Sequence, residues 1–162
     1  MKLGLAIERL AESERELADR LLAVGERHRT DHDVYHLTRT LARMERGHLD
    51  ALAPHAGRYG VELDGESDGS GSPRVLEVAR EKSAELLGRR PEPGLLLLRD
   101  LRELHVLAAG TSLDWVALAQ GAQAAKDTEL LATVTACHDE TLRTLKWTTY
   151  RLKEAAPQVL TS

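Results

Sequence analysis

The first 28 residues carry one unbroken pattern that limits what the chain can become. Leu3, Ile7, Leu10, Glu14, Leu17, Leu21, Val24 and His28 recur at alternating spacings of four and three. A strand would alternate every second residue. This spacing instead places all eight side chains on one stripe of an α-helix, in the heptad register of a helix packed along another helix. "RTDHD" at 29–33 breaks the stripe and offers Thr and Asp as helix starts. A second stripe then runs through Val34, Leu37, Leu41, Met44/Glu45, His48, Leu52, His55/Ala56 and Tyr59, and ends at Gly60. Two long helices joined by so tight a turn must lie antiparallel.

The rest of the chain repeats this plan after an interruption. "DGESDGSGSP" at 64–73 reads as a flexible linker, followed by a short amphipathic helix at about 74–88. "PEPG" at 91–94 opens a third helix, with Leu97, Leu101, Leu104, Ala108, Thr111, Trp115, Leu118 and Ala122 on its inner face. Asp127 starts a fourth, with Leu131, Val134, His138, Thr141, Leu145 and Leu152 turned inward, and Pro157 is expected to end it. The expected helices span 2–28, 32–59, 94–124 and 127–155, with the linker and a short crossover helix in 60–93. The fold expected is all-α: one domain over 1–162, a four-helix bundle with a long crossover between helices 2 and 3.

Composition agrees with helix packing. Of the 162 residues 42% are apolar but only 3% aromatic, with no Phe, so the core is built from Leu, Val and Ala. The 22 basic and 26 acidic residues are closely mixed and leave a net charge of −4. This is not the strong positive field of a nucleic-acid binder. The apolar run "LLLL" at 95–98 is far too short to span a membrane, and residues 1–20 turn charged too early for a signal peptide. One cysteine, Cys137, rules out an internal disulfide and a Cys-rich zinc site; it suits a reducing cytoplasm and a packed core thiol. No Ser-His-Asp set, phosphate-binding Gly loop or zinc-protease spacing is present, and Trp115 and Trp147 read as core or inter-helix anchors. His36 falls opposite the core stripe of helix 2, as an exposed histidine would.

Polar residues inside the stripes carry the functional signal. Glu14 stands where neighbouring repeats place aliphatic residues, and a lone buried carboxylate costs several kcal/mol unless paired, protonated or metal-bound. Glu45 and His48, three apart, share a helix face. The first turn centres near residues 29–30, about fifteen residues from both Glu14 and Glu45, so an antiparallel hairpin brings the two level. On helix 4, His138 lies near mid-height. On helix 3, Ala108, Thr111 and Asp114 are level with the group, and Asp114 and His105 fall at the edge of the stripe.

Glu14, Glu45-x-x-His48, the helix lengths and the crossover resemble the first half of the ferritin-like superfamily, which includes the rubrerythrins and other di-iron carboxylate proteins. That family has a Glu on helix 3 and a Glu-x-x-His on helix 4. Here "ACHDETLRTLKW", residues 136–147, gives only His138. The resemblance therefore implies a degenerate site that holds a single Fe, Mn or Zn ion on Glu14, Glu45, His48 and His138, with no organic cofactor. The alternatives are a metal-free hydrogen-bonded cluster in a ferritin-like scaffold that acts as a homodimeric binding or assembly module, and a resemblance to damage-inducible bundle proteins with a His-triad metal. The latter need a further late His pair, which His138 alone does not supply.

Overall fold

The computed structural model describes residues 2–63 and 92–162. Four long helices pack against one another: α1 (Leu3–Arg27), α2 (His32–Ala56), α3 (Pro93–Ala124) and α4 (Thr128–Thr161). One 3-10 turn, Gly57–Tyr59, extends α2 and closes at Gly60, whose φ of 74° is left-handed and suits glycine. The linker at 64–73 and the short helix at 74–88 fall outside the described residues.

Local chemistry sets the helix ends. Asp31 caps α2 by accepting from the Val34 amide at 3.2 Å, and Asp127 caps α4 by accepting from the Leu130 amide at 3.0 Å. Pro93 occupies the first position of α3, where its missing N–H costs nothing. Contrary to expectation, Pro157 does not end α4, which continues to Thr161. Proline's fixed φ is helical; inside a helix it costs the lost amide bond and a clash of its ring with the carbonyl four residues back. Here Val159 is held against α3, since a Cβ on Gly94 would lie 2.8 Å from Val159 Cγ2.

Helix α1 packs on α2 and α3, and α4 packs on α3 and α2, so the four form a square with α1 and α4 on one diagonal. The ends fix direction. Leu3 at the start of α1 lies by Gly121 near the end of α3, and Tyr59 lies by Gly4. At the opposite end, Asp100 of α3 meets Arg27 and His28, and Arg151 of α4 meets Asp31. α1 and α4 therefore point one way, and α2 and α3 the other. Val61, beside Gly4, and Glu92, at the start of α3, therefore lie at opposite ends of the bundle.

Two apolar cores fill the interior. One holds Leu17, Leu21, Val24, Val34, Leu41, Leu97, Leu101 and Leu104; the other holds Ile7, Leu10, Leu52, Trp115, Leu118, Leu130 and Val134. Each buried aliphatic side chain contributes about 1.5–3 kcal/mol of transfer energy. Between the two cores the stripes turn polar, at Glu14, Glu45, His48, Thr141 and Thr144, all buried.

The inner faces expected for α1 and α3 are the buried ones. On α2, Leu37 is 41% exposed and Thr38 is buried in its place. The expected face of α4 needs correction. Its buried centre runs through Leu130, Val134, Cys137, Thr141, Thr144 and Thr148, while Leu131, His138, Leu145 and Leu152 lie on the flank, half-buried. Thr141, Thr144 and Thr148 turn inward because each has a polar partner on another helix.

Candidate functional site

The polar layer is built around His48. Its Nδ1 lies 3.2 Å from Glu14 Oε1 and 3.2 Å from Glu45 Oε2. Its Nε2 lies 2.9 Å from Glu140 Oε2 on α4. One ligand atom from each of Glu14, Glu45 and His48 falls within 4.8 Å of the others, and all three residues are buried. The level placement of Glu14 and Glu45 deduced from the turn is thus realised, with His48 one helical turn beyond Glu45 on the same face.

The carboxylates are oriented from the second hairpin. Trp115 Nε1 donates to Glu14 Oε1 at 2.6 Å, and the indole lies edge-on to the His48 ring, centroids 5.6 Å apart. Thr141 donates to Glu45 Oε2 at 3.0 Å and Thr144 to Glu45 Oε1 at 2.7 Å. Both oxygens of Glu45 are satisfied. Glu14 Oε2 is different: it is buried and has no hydrogen-bond partner. Such an atom forfeits hydration, at about 1–3 kcal/mol, unless it carries a proton shared with a neighbouring carboxylate or meets an ion.

The electrostatics divide the two carboxyls. Burial, reinforced by the charge of Glu45 and opposed by His48, pushes Glu14 up to about 8. Burial also disfavours the Glu45 anion, but hydrogen bonds from His48, Glu14 and Thr144 outweigh it and hold Glu45 below the usual range. Burial disfavours the His48 cation, yet hydrogen bonds to Glu14 and Glu45 and their charges push it up to about 10. A metal-free cluster at neutral pH is therefore a protonated Glu14, an ionised Glu45 and an imidazolium. Its internal charges cancel.

His138 is not brought to this group. Its Nε2 lies 2.8 Å from Ser112 Oγ, between α3 and α4. One residue earlier, Cys137 points inward: it is buried, and its thiol is pushed up to about 12, first by burial and then by the charges of Glu14, Glu140 and Glu45. That protonated thiol is a packing group and not a nucleophile. Asp114 accepts from Ser13 at 2.6 Å, and His105 Nδ1 lies 2.8 Å from Thr148 Oγ1. His36 is exposed.

Sequence reasoning missed Glu140, Thr144 and the polar role of Trp115. The signal for the threonines was present. Thr141, Thr144 and Thr148, spaced three and four apart, trace a helix face as regular as any leucine stripe. Glu140 sits beside that face and had no such signal.

A third buried carboxylate, Asp100, was also missed. It accepts from Arg27 Nη1 at 2.7 Å and Arg99 Nη2 at 3.3 Å, and lies 2.8 Å from His28 Nε2. Burial would raise it, but the hydrogen bonds of His28 and Arg27 and the Arg27 charge hold it below the ordinary aspartate value. It ties the start of α3 to the end of α1.

No described helix is long and apolar enough to cross a membrane. Comparison with protein-family models, with curated proteins and with solved structures finds no match to this chain. The chemistry of the site is therefore what bears on function.

Proposed function

We propose that this chain binds a single divalent transition-metal ion through Glu14, Glu45 and His48 Nδ1, in a ferritin-like bundle that keeps one half of a two-metal ligand set. The observation that carries the proposal is Glu14 Oε2, a buried carboxylate oxygen without a partner inside a group of three metal-ligating side chains.

Three further features support it. Ligand atoms about 2.0–2.2 Å from a common ion at right-angled or tetrahedral geometry stand about 2.9–3.5 Å apart. His48 Nδ1 stands 3.2 Å from both carboxylates, which is long for charge-assisted N–H···O bonds and suits a shared ion. The Glu140 contact at Nε2 is the carboxylate–histidine pairing that fixes the tautomer of a metal-bound imidazole. Charge balance also admits a divalent cation, which would replace the proton of Glu14 and one proton of His48 and leave the net charge of the three residues unchanged. Imidazole with two carboxylates suits Zn, Mn or Fe.

His138 has no part in this ligand set, and Thr141 and Thr144 of α4 give Glu45 hydroxyl donors in place of further ligands. The proposal is for a mononuclear centre.

A second reading is favoured by one observation. Thr141 and Thr144 saturate Glu45, so the layer could serve as a metal-free hydrogen-bonded spacer that fixes the register of the four helices. Elemental analysis of untagged protein, purified without chelator, separates the two beside Glu45→Ala. Near-stoichiometric Fe, Mn or Zn that disappears in the variant supports the centre. Absence of metal after reconstitution with each ion leaves the spacer.

A further inference from the structure

An ion bound at this centre needs a way through the protein. Glu14, Glu45, Trp115, Thr141 and Thr144 are all closed to solvent. His48 borders a surface depression. A shallow groove of about 400 Å³ runs between α2 and α4, lined by Arg43, Gly47 and His48 on one side and Ala136, Cys137 and Glu140 on the other. Glu140 joins the outside to the inside: its side chain is 43% exposed, yet its Oε2 touches a ring that is 3% exposed. The groove also reaches the ligand set itself, since His48 lines it and its Nδ1 lies 3.2 Å from both Glu14 and Glu45.

We infer that this groove is the route by which a divalent cation exchanges with the Glu14–Glu45–His48 centre, and that Glu140 is the outer carboxylate that captures the ion. The inference rests on the metal-binding reading and adds to it a path and a residue. A hydrated dication gives up water only where oxygen ligands replace it. Glu140 offers such oxygens at the point where the groove meets His48. Gly47 and Ala136 keep the passage wide because they place almost no side chain in it. Arg43, exposed on the rim, acts in the opposite sense by repelling a cation.

Kinetics and equilibrium separate a route from a ligand. An obstacle on the route slows binding and release by the same factor and leaves affinity unchanged, whereas loss of a ligand lowers affinity. Ala136 is an exposed helix position, so Ala136→Leu keeps a strong helix former and narrows the groove without disturbing the core.

The experiment uses Co(II) as the probe, with association followed by stopped-flow absorbance, release followed by chelator challenge, and affinity measured by equilibrium dialysis. Ala136→Leu is expected to slow association and release together at unchanged affinity. Glu140→Gln is expected to slow association by about tenfold, and Arg43→Gln to accelerate it by about twofold, as local charge steers the ion. If the wild-type chain binds Co(II) while Ala136→Leu leaves both rates intact, the metal reading stands and this route is wrong. Lower affinity in Ala136→Leu at an unchanged association rate would likewise overturn the route. A wild-type chain that takes up no Co(II) removes the metal reading and the route with it.

Discussion

Asp100 and Glu14 are both fully buried carboxylates beside an imidazole in the same bundle, but they differ in position, in their other partners and in the direction of their pKa shift. Asp100 lies near one end, bonded by two guanidinium groups and an imidazole, and is held ionised. Glu14 lies at mid-height with one oxygen bonded and the other orphaned, and burial drives it toward the neutral acid. The first arrangement completes itself within the protein. The second leaves one buried oxygen open. A buried charge with all its partners is a fastening, while a buried ligand set with an open valence is a candidate site.

The largest expected effect comes from breaking the fastening. Asp100→Ala leaves Arg27 and His28 without their buried acceptor and should cost about 3–5 kcal/mol in chemical denaturation. By contrast, Glu14→Gln in metal-free protein at pH 6 should change stability by no more than about 1 kcal/mol, because the amide imitates a carboxyl that is already protonated. A severe loss in Glu14→Gln, or a negligible one in Asp100→Ala, would remove the distinction between the two sites.

The pH dependence should have opposite signs at the two places. Asp100 is depressed below 3.8, so its contribution is present above that value and is lost as pH falls through its folded pKa. Asp31 and Asp127 are also depressed, so the Asp100 part is the difference between wild type and Asp100→Asn. Glu14 is raised from 4.5 to about 8, so the folded state keeps a proton that the unfolded chain has lost, and stability falls as pH rises across that window. His48, raised from 6.5 to about 10, continues the decline to higher pH. Melting metal-free protein from pH 5 to pH 10 should show this fall, and Glu14→Gln should flatten its lower part. A profile for the variant that runs parallel to wild type between pH 5 and pH 8 would mean that Glu14 is ionised when folded.

Smaller effects sharpen the picture of Glu45. Thr141→Val and Thr144→Val each remove one hydroxyl donor to its carboxylate and should cost about 1–2 kcal/mol, with the double variant departing from additivity. Denaturation of the two single variants and the double variant measures this. The smallest effect is expected at His138, where His138→Ala should leave metal affinity within about twofold of wild type, since its ring turns to Ser112. A large loss of affinity in dialysis would return His138 to the ligand set.

Much of this was legible in the order of residues. The heptad of α1 and the stripe of α2, counted outward from "RTDHD", place Glu14 level with Glu45, and the structure brings them together with His48. The inner face of α3 was readable for the same reason, since a helix repeats every 3.6 residues and leucine marks its buried side. Four helices, their pairing into hairpins and the first three members of the polar group thus follow from residue order alone. The contribution of the second hairpin depended on how the helices pack. Periodicity fixes a helix's rotation to within about one residue, or about 100°. On α4 that margin separates His138 from Cys137, and a leucine flank from a threonine centre. The choice fell to Glu45, a buried anion that needed hydroxyl donors from another helix. Asp100 was invisible for a related reason: beside Arg99 it reads as ordinary helix surface, and only folding brings Arg27 and His28 to it across more than 70 positions of chain.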